Sequence, residues 1–279
     1  MVRSKFKRSA KVTRKSSKPA YGELLQASRL TDFAKLEYLL SQGANINEKD
    51  ERGNTALMLA VAAERMGVVK FLLAKGALVD ETNSSGNTAL LHASGEDTLE
   101  LVDLLIEHGA KLEQQNSKGR TALIKAAYLG RRRVVELLLE KGANLEAQDN
   151  DGFSAFILAI INHHLDTAAL LLQKGANIDA KDTFNTTALM WACSTGFAAE
   201  AKFLIENGAD PSIKNKGGKT ALDYVDERIP EVAELLQQAV KAREDKAEQE
   251  RQRVLADISD PRLRRPLAVK PPPKLGGQS

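Results

Sequence analysis

The sequence predicts an all-α repeat solenoid, one elongated stack of units in which a turn is followed by two short helices. Three observations carry that expectation. Gly-Ala pairs begin at Gly43, Gly76, Gly109, Gly142, Gly175 and Gly208, each 33 residues after the last. Hydroxyl residues followed by Ala recur in the same period at Thr55, Thr88, Thr121, Ser154, Thr187 and Thr220. The composition, 43% hydrophobic and 28% charged over 279 residues, is that of a chain able to bury a core along most of its length.

Each element of the unit has a local cause. It opens at an Asp or Asn, namely Asp50, Asn83, Asn116, Asp149, Asp182 and Asn215. These side chains bond the nearby backbone and favour turns. Two residues before the hydroxyl stand Gly53, Gly86, Gly119, Gly152, Asn185 and Gly218. Glycine takes positive φ without steric cost and Asn is the next best residue there, so a left-handed turn position is expected. The Ser or Thr then precedes an apolar segment such as Ala56-Leu57-Met58-Leu59-Ala60, where its oxygen can cap free helix amides. A second helix follows, carrying a stripe such as Val134-Val135 and Leu138-Leu139, and the glycine three residues later is its stop. Neither helix can bury its stripe alone, so the units must stack.

The ends are expected to differ from the middle. Residues from Leu24 to Asn47 keep the second-helix pattern without a Gly-x-Thr turn and read as an N-terminal cap. The unit opening at Asn215 keeps Thr220 but brings Leu235-Leu236 two residues early, with Ile229-Pro230 restarting the helix, and reads as a C-terminal cap.

In period and in residue types the sequence resembles the ankyrin repeat family, whose 33-residue unit is a β-turn plus two helices. The likeness runs from about Tyr21 to about Ala239. The family's usual Thr-Pro-Leu-His reads Thr-Ala-Leu-Met, Thr-Ala-Leu-Leu, Thr-Ala-Leu-Ile, Ser-Ala-Phe-Ile, Thr-Ala-Leu-Met and Thr-Ala-Leu-Asp here. The hydrogen bonds that the family's His makes are therefore not expected in this chain. The resulting division is a basic, disordered arm at 1–19 and an ankyrin repeat domain at 20–240, of about six repeats plus a C-terminal capping unit. A charged helical extension at 241–258 and a Pro/Gly-rich basic disordered tail at 259–279 complete it.

Charge follows this division. The formal net charge of +3 is the sum of +8 in residues 1–18, −9 in residues 19–240 and +4 in residues 241–279. An acidic body disfavours nucleic acid as the main ligand of the stack, while contact of residues 1–18 with nucleic acid or an anionic membrane is a secondary expectation. The arm has the basic, acid-free composition of an organelle transit peptide, but Val2, Phe6 and Val12 are too sparse to form an apolar face. No apolar run approaches a membrane span and no secretory signal opens the chain, so a soluble, cytoplasmic protein is expected.

Chemistry is thin. One cysteine, Cys193, excludes an intramolecular disulfide and any multi-cysteine metal site. It is expected in the core of a first helix, beside a core Trp191. His92, His108, His163 and His164 show no i, i+4 metal pairing, and Arg131-Arg132-Arg133 is expected in a solvated turn between helices. Gly217-Gly218-Lys219-Thr220 lacks the upstream glycine of a phosphate loop. No catalytic residue, metal or cofactor is expected.

What remains is recognition of a protein partner by a monomer. The resemblance implies that turn tips and the exposed side of the first helices form a concave binding face. Residues there that the frame does not require are Lys118, Arg120, Tyr128, Asp151, Phe153, Ile161, Asn162, Phe184, Ser194 and Thr195. Phe184 stands out, because an aromatic at a turn tip has no helix to pack into. Two alternatives stay open. One is a secreted bacterial effector or enzyme regulator whose basic tail is a sorting or docking signal; the other is a repeat scaffold that positions the basic arm on nucleic acid or membrane.

Overall fold

The computed structural model describes residues 22–259, so the expected arm at 1–19 and the tail beyond Ser259 lie outside the described residues. Seven helical units follow one another. The first six are α1 (Glu23–Leu30) with α2 (Phe33–Ser41), α3 (Ala56–Ala62) with α4 (Met66–Ala74), α5 (Ala89–Ala93) with α6 (Leu99–Glu107), α7 (Ala122–Tyr128) with α8 (Arg132–Glu140), α9 (Ala155–Ile161) with α10 (Leu165–Gln173), and α11 (Ala188–Thr195) with α12 (Ala198–Glu206). A single 3₁₀ turn, Leu222–Tyr224, and the long α13 (Pro230–Ser259) close the stack.

First helices stack on first helices in the order α1, α3, α5, α7, α9, α11, with the 3₁₀ turn next in line. Second helices form the other layer, α6 on α8, α8 on α10 and α12 on α13. One continuous apolar core runs between the layers, from Leu24 to Leu236. Alanines such as Ala56, Ala93, Ala126, Ala159 and Ala192, all fully buried, let backbones of successive first helices approach closely. Helices of five to nine residues could not persist in water by themselves, so this stacking supplies their stability.

The expected start and stop signals do the work assigned to them. Thr55, Thr88, Thr121, Ser154 and Thr187 are N-caps whose side-chain oxygens accept the amide three residues on, at 3.2–3.3 Å. Thr220 departs from the pattern. Its amide and hydroxyl both donate to the Asp223 carboxylate, at 2.7 and 2.8 Å, because Asp at this position offers a stronger acceptor than the hydroxyl and shortens the helix to one turn. At the other end Gly43 has φ 84°, the Ala44 amide bonds the Leu39 carbonyl and the Gly43 amide bonds the Leu40 carbonyl, which is a Schellman stop.

One left-handed position was not expected. Between the two helices of each pair, Thr31, Glu64, Asp97, Gly130, His163 and Gly196 all have φ between 55° and 78°. The Arg131-Arg132-Arg133 run also sits differently from the expected turn. Arg132 and Arg133 begin α8, and Arg131 reaches back to donate from Nε to the Gly95 carbonyl at 2.9 Å.

Candidate functional site

The turns build one edge of the stack, and their geometry is held almost without tertiary side-chain help. In each of the six, the opening Asp or Asn side chain accepts amides two and four residues on, as Asp182 does from Phe184 and Thr186 at 2.8 Å. Successive tips are joined by backbone. Ser84, Ser117, Asn150, Thr183 and Lys216 each donate an amide to the carbonyl of the preceding tip, at 2.9–3.0 Å. This approach explains the glycines more fully than φ alone. A Cβ on Gly53, Gly86 or Gly152 would lie 2.5–2.8 Å from an amide of the next turn, and one on Gly119 would lie 2.6 Å from the Asn150 amide.

Side chains link the turns in a second row. Asn83 donates to Asn54 at 2.8 Å and Asn116 to Asn87 at 3.0 Å. At the next step Arg120 replaces the amide: its Nε lies 3.4 Å from Asp149 Oδ2, and its guanidinium sits 4.3 Å over the Tyr128 ring. With side chains only 18% and 1% exposed, Arg120 and Asp149 are a joint between the fourth and fifth units. At the following step Phe153 occupies the linking position and no polar bond forms. Phe153 instead meets Trp191 edge-on at 5.8 Å between ring centroids, and Trp191 Nε1 donates to Asp182 Oδ2 at 3.1 Å. Trp191 is thus half-buried on this face rather than in the core, because its indole N–H needs the Asp182 carboxylate.

The ten residues singled out from sequence separate accordingly. Lys118, Asp151, Phe184 and Ser194 are exposed. Arg120 and Tyr128 are stacked on each other, and Ile161 and Phe153 pack half-buried against the core. The Asn162 amide turns inward to the Leu158 carbonyl at 2.8 Å, and Thr195 donates to the Trp191 carbonyl at 2.8 Å. Phe184 is 68% exposed, although its backbone is fixed on both sides by the Asp182 side chain and the Lys216 amide.

Phe184 forms one wall of a cleft of about 370 Å³ between the sixth and terminal units. Met190 and Trp191 form its floor, and Tyr224, Lys216 and Gly217 its far side. Sequence reasoning placed Trp191 in the core and singled out neither Tyr224 nor Lys216. Tyr224 sits where the other units carry first-helix residues, and its hydroxyl accepts from Asn215 at 2.8 Å.

The titratable groups elsewhere have structural roles. Cys193 is fully buried and burial pushes its thiol up to about 12. His92 is held down to about 4, by burial first and by the neighbouring Lys125 charge second. Lys125 reaches across from the fourth unit to donate to the Leu91 carbonyl at 2.7 Å. His163 Nδ1 lies 2.9 Å from the buried Glu200, with its ring 4.0 Å from that of Phe197. Among the described residues no three His, Cys, Asp or Glu side chains are grouped to hold a metal ion, and no helix is long and apolar enough to cross a membrane.

Comparison with known proteins agrees with this geometry. The family model described as ankyrin repeats (3 copies) matches residues 24–116 and 95–182, and the one described as ankyrin repeats (many copies) matches residues 170–225. Among solved structures, the chain is similar to the ankyrin repeat domain of Bcl-3, described as a unique member of the IkappaB protein family. The identity is 29% and the TM-score 0.69, over 77% of this chain and 97% of that one. It is also similar to the human ASB11 ankyrin repeat domain, with 25% identity and a TM-score of 0.67 over 77% of this chain and 96% of that one. No curated protein sequence matches it.

Proposed function

The chain belongs to the ankyrin repeat family, and from that premise we propose that it is a non-enzymatic scaffold or regulator that binds a protein partner on its turn-tip face, the concave face of such stacks. Ankyrin repeat domains are in general protein–protein interaction modules. The observation that supports this face is Phe184. A large aromatic left exposed on a rigid backbone costs solubility and gains nothing in the fold, whereas in an interface it supplies apolar area without the entropy of ordering a loop. Its neighbours Trp191 and Tyr224, with Lys118 and Asp151 farther along the tips, have the make-up of an aromatic centre and a charged rim. A reducing compartment such as the cytoplasm suits a chain with one buried thiol.

The test is a tip variant, Lys118→Glu with Asp151→Lys and Phe184→Ser, in a pull-down from the native source followed by mass spectrometry. Far-UV circular dichroism and thermal midpoint should stay unchanged while specific capture is lost. Undiminished capture by a folded variant would overturn the assignment of the face.

A further inference from the structure

We propose that the cleft between the sixth and terminal units takes an extended peptide segment in which an apolar, preferably aromatic, side chain is flanked by carboxylates. This rests on the protein-binding reading above and names the chemistry of the partner at one place on that face.

Three observations carry it. First, the cleft is built from residues the repeat does not ask for. The tip position two after the turn's Asp or Asn holds Arg52, Ser85, Lys118 and Asp151 in other units, and only the sixth unit places an aromatic there, Phe184. The same position in the terminal unit is Gly217, whose φ is not in the left-handed region, so glycine is not required by the backbone. Its missing side chain leaves the cleft open toward Phe184. Second, the walls are prearranged. Trp191 is fixed by its bond to Asp182, Tyr224 by Asn215, and the Phe184 backbone by Asp182 and Lys216. An entering side chain therefore meets an apolar floor and walls that need no ordering.

Third, the rim is basic while the body is acidic. Lys214, Lys216 and Lys219 are exposed on the terminal turn, and Lys219 Nζ lies 5.3 Å over the Tyr224 ring. The nearby carboxylate of Asp223 is taken up by the Thr220 amide and hydroxyl, and that of Asp226 by Arg228. The buried Asp182 is satisfied by Trp191, Phe184 and Thr186. Hydrogen bonds from neutral donors do not cancel charge, so Asp182 and Asp223 count −1 each against Lys214, Lys216 and Lys219 and the surplus around the apolar slot is +1. Lys216, which lines the cleft, is the cation placed to meet a carboxylate beside the anchor. The same charge also selects against the chain's own termini. Residues 1–18 carry +8 and residues 260–279 hold five Lys/Arg against one Asp, so both would be repelled from the lysines.

The chain has one tryptophan and it lies in the cleft floor, so its emission reports occupancy directly. The full chain is titrated with an acetylated, amidated Gly/Ser nonapeptide carrying a central Phe between paired Glu residues. Two control peptides replace the Glu residues by Lys or the Phe by Ala. The acidic Phe peptide should shift Trp191 emission to shorter wavelength saturably, and both controls should bind at least tenfold more weakly. Lys216→Glu with Lys219→Glu should weaken the acidic peptide at least tenfold and improve the Lys-flanked one. Phe184→Ser, a residue the third unit carries at this tip, should weaken both while the circular dichroism spectrum is kept. Equal responses to the three peptides, or none, would overturn the proposal. So would an emission shift on concentrating the protein alone with dimer in sedimentation, which would make a second copy the occupant. If the peptides fail while the tip variant still loses its partner, the cleft chemistry falls and the protein-binding face stands; if the tip variant also keeps its partner, both fall.

Discussion

Single residues in this chain carry either a backbone demand or a surface choice, and the two can be told apart by substitution. Gly119 carries the demand twice, through φ 74° and through the Asn150 amide that a Cβ would meet at 2.6 Å. Gly119→Ala should therefore lower stability by about 2–3 kcal/mol, read as a drop in the urea midpoint, where strain from φ alone would cost about 1 kcal/mol. Glu64 shows the opposite case. It holds φ 55° with an exposed side chain, so Glu64→Gly should raise stability by about 0.5 kcal/mol, relief of strain outweighing the larger entropy of the unfolded chain. Burial fixes the chemistry of two further groups. With its thiol near 12 and no exposure, Cys193 should resist iodoacetamide in the native protein and react on denaturation, which mass spectrometry would read. His92 accepts from Asn83 at 3.4 Å when neutral, and its pKa falls from 6.5 to about 4 on folding. The unfolded chain then binds more protons between those values, so stability should fall as pH is lowered from about 6.5 toward 4. His92→Gln should flatten that part of the curve of thermal midpoint against pH.

At the level of elements, first helices begin and second helices end where the sequence places their signals, because an N-cap is a local interaction between a side chain and the amide three residues on and a glycine stop is local to the backbone. Thr121→Ala should accordingly cost about 1 kcal/mol in chemical denaturation, whereas Thr220→Ala should cost less, since its N-cap role has passed to Asp223. The left-handed link between paired helices was not legible. Glycine marks it only at Gly130 and Gly196, although the link is a Schellman-type stop of the first helix, as where the Glu64 amide bonds the Val61 carbonyl and the Arg65 amide the Ala60 carbonyl; elsewhere Thr31, Glu64, Asp97 and His163 take the left-handed conformation without a residue type that announces it. His163 adds contacts that only the stack supplies, since Glu200 and Phe197 come from the next repeat. The binding face was legible in part for a like cause. Phe184 announced itself by breaking the tip pattern, but Arg120 and Tyr128 looked free until the stack brought Asp149 beside them. Trp191 looked like core because nothing local reveals the carboxylate that draws its N–H outward.

For the molecule as a whole, stability is the sum of unit interfaces, and its weak point is wherever a unit lacks a neighbour. The C-terminal end is covered by α13, which buries Val232 and Leu236 and ties back through Arg243 to Asp210 at 3.3 Å and to the Gly208 carbonyl at 2.6 Å. Beyond Arg243 the helix residues are exposed through Leu255. Truncation after Lys246 should leave the thermal midpoint unchanged, whereas truncation after Val225 should lower it by many degrees and raise dye binding to exposed apolar surface. The tips obey a different economy. Because each is positioned by its neighbour's main chain and by its own Asp or Asn, the residues two places on can change identity with little effect on the fold. Arg52, Ser85, Lys118, Asp151, Phe184 and Gly217 already show that range. Selection can therefore rewrite what the protein recognises one tip at a time, without passing through unfolded intermediates, and two descendants of this chain could share every core residue and no partner.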